Sequence, residues 1–454
     1  YIGDWDFYQK YLLLAIPMIL QNAITNLVSF LDNIMVGQLG TEQMSGVAIV
    51  NQLIFVYNLA IFGAVSAASI FGAQYFGKGN HKGHMYSFRF KLYATLLVTG
   101  GAILLFLTKG SALISLYLTD TVGNGATDLA LQYGLEYLAI MMVGLIPFAV
   151  NQSYATNIKE TGQTFIPMLA SFVAVGTNAI LDYLMIFGIG PFPELGVQGA
   201  ALATVIARYI EALIVVIWAH IHRGKNRYLE GAYTGFGIPL AELKAILIKG
   251  FPLMMNEVLW AAGMTTVTQC YSVRGLDVVA GLNIASTITN LFNIVYLQLG
   301  SCISIVVGQY LGAGKLEDAK DADNKMIVFS VFCCVIMAAL MFVVGGFFPG
   351  IYNTTEEIRE LATSFIAVSA IIMPFCAFSH ASYFTLRSGG KTVVTFLFDS
   401  VFTWVIVVPA AYLLAHFTGL GIVSIYFLVQ GTELIKVIIG YLMVKSNVWV
   451  VQMV

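Results

Sequence analysis

Seven carboxylates lie inside long apolar stretches of this chain: Asp32, Glu136, Asp182, Glu211, Glu257, Asp399 and Glu433. A charge at the centre of a bilayer costs on the order of 3 kcal/mol or more, so each should face a partner, a bundle interior or water. Glu211 follows Arg208 by three residues and Glu433 precedes Lys436 by three, the spacing of helical ion pairs. Local neutralisation is expected of both. Glu136 is expected near the membrane interface. Asp32 and Asp182 differ, having no basic residue within one helical turn. Asn178 precedes Asp182 by four residues, so amide and carboxylate share a helix face. Thr204, on the following stretch, is expected at a similar depth. Hard oxygen donors of this kind suit Na⁺, and carboxyls kept from water beside one another suit a proton. Glu257 and Asp399 are secondary candidates, expected to line a cavity that attracts a cationic substrate.

The elements that must hold these groups follow from composition. The 454 residues are 59% hydrophobic and 10% charged, where soluble domains run near half and a quarter. The chain therefore reads as an all-α polytopic membrane protein. A formal charge of −2 gives no basic footprint for nucleic acid. Five cysteines without CxxC spacing predict neither a disulfide framework nor a zinc site. No signal peptide is read ahead of the first apolar run.

Apolar runs between polar breaks predict twelve spans. They cover 10–33, 47–74, 88–109, 129–152, 165–188 and 196–219, then 246–271, 278–309, 327–348, 358–385, 393–415 and 419–443. The longest polar break divides the chain into a bundle at 1–219, a cytoplasmic linker at 220–245 and a second bundle at 246–454. With the N-terminus inside, inner segments carry 17 Lys and Arg, Lys91 among them, and outer ones only Lys109, Arg274 and Arg359. Both termini are thus expected in the cytoplasm and the chain in the plasma membrane.

The two halves repeat. A shift of 235 residues places Pro17 on Pro252, Gly46 on Gly281, and Gln74-Tyr75-Phe76-Gly77 on Gln309-Tyr310-Leu311-Gly312. Further on the shift relaxes, pairing Pro147 with Pro374 and Glu211 with Glu433. Six helices per half make this a parallel repeat, a design suited to alternating access.

The motifs along that frame carry a resemblance. Leu31-Asp32-Asn33-Ile34-Met35-Val36-Gly37 closes the first span, and Glu160-Thr161-Gly162-Gln163-Thr164 leads into the fifth. Asn178-Ala179-Ile180-Leu181-Asp182 and Leu195-Gly196-Val197-Gln198-Gly199-Ala200-Ala201 follow. In this order and spacing they resemble the multidrug and toxin extrusion (MATE) family, over essentially the whole chain. The resemblance implies a secondary antiporter that exports amphipathic or cationic organic compounds in exchange for H⁺ or Na⁺. It implies a cation-coupling site at Asp32, Asn178, Asp182 and Thr204, with Na⁺ one possible occupant. Another branch of that family places its acids on helices 7 and 10. Helix 10 here offers Cys376, Ser379 and His380 instead, and the absent acid leans the expectation toward H⁺. No cofactor, nucleic-acid partner or enzymatic activity is expected, and the chain is expected to work as a monomer. A lipid-precursor flippase and a channel are the alternatives. The flippase would favour fourteen helices and a more cationic cavity. A phosphate-loop reading of Gly389-Gly390-Lys391-Thr392 fails because Thr385 stands where its first glycine belongs.

Overall fold

A computed structural model gives the structure of the chain and describes residues 2–118 and 124–454. Among the described residues it holds twelve helices long and apolar enough to cross a membrane, and no strand. These are α1 (Trp5–Gly37), α2 (Thr41–Lys78), α3 (His81–Ser115), α4 (Thr127–Glu160), α5 (Phe165–Phe187) and α6 (Val197–Ile221). The second half repeats the count with α7 (Leu240–Ser272), α8 (Leu276–Gly312), α9 (Leu316–Ile351), α10 (Glu356–Ser388), α11 (Thr392–Phe417) and α12 (Ile422–Lys445). Most outrun their apolar cores. The 38 residues of α2 span about 57 Å, well beyond an apolar layer of about 30 Å. Hydropathy marks only the part that must avoid water, whereas backbone hydrogen bonding carries the helix on through its polar ends.

The chain divides into two compact units. The first comprises Ile16–Gly72 and His81–Leu243; the second comprises Tyr1–Ala15, Ala73–Asn80 and Lys244–Val454. In the first, Val50, Ile61, Leu138, Leu145, Ala200 and Ala201 form a buried core. Leu97, Leu104 and Leu107 of α3 remain widely exposed, as suits a lipid-facing side. The segment read from sequence as a linker is partly folded onto this unit. Tyr228, Leu229 and Ala232 pack into a cluster with Met85, Phe88 and Tyr154. Arg89 fastens the same stretch, donating to the carbonyls of Gly231 (2.6 Å), Ala232 (2.9 Å) and Gly237 (2.8 Å).

In the second unit Cys334, Met341, Phe365, Ile366, Ala411 and Ile425 centre the core. The last residues are tied into it. Gln74 donates to the carbonyls of Ser388 (2.9 Å) and Val451 (3.2 Å), and its Oε1 accepts from the Met453 amide (2.8 Å). Trp449 is buried and gives its indole N–H to Val444 O (3.0 Å). α11 is irregular, passing through π-helical turns at Leu397–Val401 and Thr403–Val407. Pro409 stands just beyond them, with no N–H to continue the ladder.

Candidate functional site

Three helices of the first unit build the site. α5 ends on Gly188, whose φ of 65° lets its N–H close on Leu184 O. Leu195 N then bonds Met185 O (2.9 Å), and a Cβ at Gly199 would strike that same carbonyl. This tight corner fixes α5 against α6 and so fixes Asp182 against Thr204. With its amide turned to satisfy both neighbours, Asn178 donates to Asp182 Oδ2 (3.3 Å). Its oxygen then accepts from Thr204 N and Oγ1, both at 3.3 Å. From α1, the Asp32 carboxyl comes up beside that of Asp182. The structure thus brings all four sequence-predicted residues together. Asp182 is wholly buried and Asp32 partly so. One oxygen of each, Asp32 Oδ1 and Asp182 Oδ1, is buried without a partner. Two ionised carboxylates side by side repel, so such a pair favours taking up a proton. The arrangement can therefore take up one proton, or exchange it for a hard cation among four oxygen-bearing side chains.

The second-half acids are placed differently. Asp399 is not a free anion. Its Oδ1 accepts from Lys436 Nζ (2.7 Å) and its Oδ2 from Asn256 Nδ2 (3.0 Å). Asn256 also binds Tyr383 Oη (3.3 Å) and Ser400 Oγ (2.7 Å). The i,i+3 pairing of Glu433 with Lys436 is replaced by this cross-helix pair, and Glu433 Oε1 is left buried without a partner. Glu257 makes no ion pair or hydrogen bond among the described residues, and Arg387 and Asp399 are the charges it senses. The Arg208–Glu211 pair is likewise absent. Arg208 lies over the Phe148 ring (5.0 Å) and reaches Gly144 O (3.4 Å), while Glu211 Oε1 accepts from Ser171 Oγ (2.5 Å). Glu136 accepts from Gln132 and Gln198 on an exposed face.

One buried charge cluster escaped the sequence reading. Lys91, counted there among inner-segment charges, is fully buried and bonds Asn157 Oδ1 (2.5 Å) and the Glu160 carboxylate. His84 Nε2 meets the other Glu160 oxygen at 3.0 Å. Gly72 makes room, since a Cβ there would run into Glu160. The available signal was a lysine just inside one apolar run and an acid in the polar break after another.

Comparison with known proteins bears on the whole chain. A sequence model of the MatE family matches residues 17–184 and 252–413. The probable multidrug resistance protein NorM of Thermotoga maritima is 23% identical over 413 residues, which cover 90% of this chain and 86% of that protein. The probable multidrug resistance protein NorM of Halalkalibacterium halodurans is 24% identical over 413 residues, 90% of this chain and 88% of its own. The outward-facing conformation of a multidrug resistance MATE family transporter of the MOP superfamily has a TM-score of 0.87 at 20% identity, covering 98% of this chain and 96% of that one. A MOP superfamily transporter from Pyrococcus furiosus gives 0.86 at 20% identity with the same coverage. At that identity the likeness is one of fold.

Proposed function

The chain belongs to the MatE family, and from that premise we propose that it is a secondary antiporter exporting amphipathic or cationic organic compounds. The exchanged ion binds at Asp32, Asn178, Asp182 and Thr204. The observation that carries this reading is the gathering of the Asp32 and Asp182 carboxyls beside the Asn178–Thr204 pair. Because adjacent carboxylates repel until one takes a proton, H⁺ is the proposed coupling ion and Na⁺ its competitor. Glu257 remains the second-half acid suited to a cationic substrate. Asp399, compensated by Lys436, is not.

If one proton and one cationic substrate exchange, each must weaken the other's binding by the same factor. Adding substrate to unbuffered, purified protein should therefore release protons. Efflux in proteoliposomes should follow an imposed pH gradient when Na⁺ is absent. Binding that ignores pH from about 5 to 8 yet weakens with Na⁺ would reject the proton assignment, since an isolated aspartate titrates near 3.9.

The proposed orientation puts both termini and the 220–245 segment in the cytoplasm, where the dense Arg223, Lys225 and Arg227 belong. Lys225 is exposed whereas Asn226 and Tyr228 are buried. A Lys225→Cys protein should accordingly react with a membrane-impermeant thiol reagent in inside-out vesicles only. Reaction in intact cells would overturn the orientation.

A further inference from the structure

We propose that Asp323 is a proton-binding site of the second unit, where one proton bridges α9 and α10 between Asp323 Oδ1 and Thr385 Oγ1. The site rests on contacts wholly within that unit and is independent of the Asp32–Asp182 reading. Asp323 stands two turns into α9, beyond a first turn that carries Glu317 and Asp318. It shares the buried helix face of Ala319, Ala322, Met326 and Ser330, which follow one another at steps of three and four. The acid thus takes a core position, and it is 0% exposed.

The hydrogens around it can be counted. Thr385 Oγ1 lies 2.5 Å from Asp323 Oδ1 and 2.9 Å from Ala381 O. A hydroxyl has a single hydrogen to give. If Asp323 is ionised, both neighbours of that hydroxyl are acceptors, and one of the two contacts has no hydrogen in it. With a proton on Oδ1, the acid donates to Thr385 Oγ1 and the hydroxyl donates to Ala381 O. Both contacts are then hydrogen bonds. The other carboxyl oxygen points the same way. Asp323 Oδ2 is buried with no partner among the described residues. An anion would place negative charge on that oxygen, whereas a neutral acid leaves only a carbonyl, which is cheaper to bury unmet.

No side-chain cation supplies the missing charge. Glu160 and Asp399 are each met by a lysine ammonium. The influences on Asp323 are its burial and the Thr385 hydroxyl alone. On its own helix Lys320 pairs with Glu317 (2.7 Å) and Lys325 with Asp321 (2.5 Å). On α10 Arg387 bonds Tyr383 and lies over the Phe384 ring (5.6 Å). On α8 the stretch Val278–Gly312 holds no Asp, Glu, Lys or Arg, and its titratable groups are Tyr296, Cys302 and Tyr310. On α1 Lys10 is exposed and Tyr11 donates to Leu299 O (2.9 Å). None of these acts on Asp323. A proton is also the cation that fits, because 2.5 Å between the two oxygens is a hydrogen-bond length and leaves no room for a metal ion between them.

The test combines infrared spectroscopy of the full-length protein in an ester-free detergent with a proton count between about pH 9 and 5, above the 3.9 of an ordinary aspartate. Asp323→Asn puts an N–H where the protonated acid has its O–H. It should lose one protonated-carboxyl C=O band and take up one proton fewer than the wild type. Thr385→Val should keep that band and move it to higher frequency, because the carboxyl loses a hydrogen bond. It answers the question should Asp323→Asn fail to fold. A proton held by the folded chain and absent from the unfolded one makes stability fall as pH rises. The wild-type thermal midpoint should therefore decline over this range more steeply than that of Asp323→Asn. Asp32→Asn should retain the Asp323 band, so the two acids are read separately and either can fail alone. Unchanged carboxyl bands and proton counts in Asp323→Asn, or a bound ²²Na⁺ lost in place of a proton, would overturn the site.

Discussion

Asp182→Asn is expected to abolish gradient-driven efflux while leaving the folded protein and its substrate binding in place. Asparagine keeps the shape of the side chain, and its amide can still meet the Asn178 amide, 3.3 Å from Asp182 Oδ2. What it loses is the acid that stands beside Asp32 and can take up a proton. Coupling free energies of about 1–3 kcal/mol correspond to roughly 5–150-fold, so substrate accumulation in vesicles should fall by that factor to the uncoupled level. Asp32→Asn should do the same, and either variant should cease to release protons when substrate binds. The measurement is substrate accumulation in proteoliposomes at matched protein content, with the proton-release signal read in parallel. A well-folded Asp182→Asn protein that accumulates substrate as the wild type does would remove the site.

Lys91→Met should have the largest effect on stability. Lys91 is wholly buried and bonds Asn157 and Glu160. Its loss leaves a buried carboxylate with His84 as the remaining ring partner at 3.0 Å. Breaking a buried pair from one side costs about 3–5 kcal/mol, because the surviving charge stays desolvated, whereas removing both charges is often near neutral. The thermal midpoint in detergent should therefore drop clearly in Lys91→Met and recover in Lys91→Met/Glu160→Gln. Equal midpoints in the two variants would show that Glu160 does not need its lysine.

The spans were legible because each must exclude water over a fixed thickness, a demand written in every residue of the run. The first site was legible for a related reason. Asn178 and Asp182 are one turn apart, and unpaired acids in apolar helices have few alternatives to a shared interior. Partners across helices were not legible. The spacing of Glu433 and Lys436 correctly says that they are neighbours, yet Lys436 bonds Asp399 of α11, 37 residues away in sequence. Arg208 has the right spacing for Glu211 and turns instead to Phe148 and Gly144 O. Local spacing gives candidates for a bond, and packing chooses among them. The Arg89 clamp on 231–237 was hidden likewise, since its acceptors are backbone carbonyls that carry no sequence signal.

The ties of Gln74 to Val451 and Met453 also set a schedule for biosynthesis. Gln74 emerges from the ribosome 377 residues ahead of Val451. At about 5–20 residues per second, that is a wait of roughly 20–75 s. Through this interval the Ala73–Asn80 segment lacks the residues that complete its unit. The first unit, nearly contiguous from Ile16 to Leu243, has no such delay and can pack while translation continues. Maturation is therefore ordered in time, and a chain stalled within α11 would present a finished first unit beside a second whose closing contacts have yet to be made.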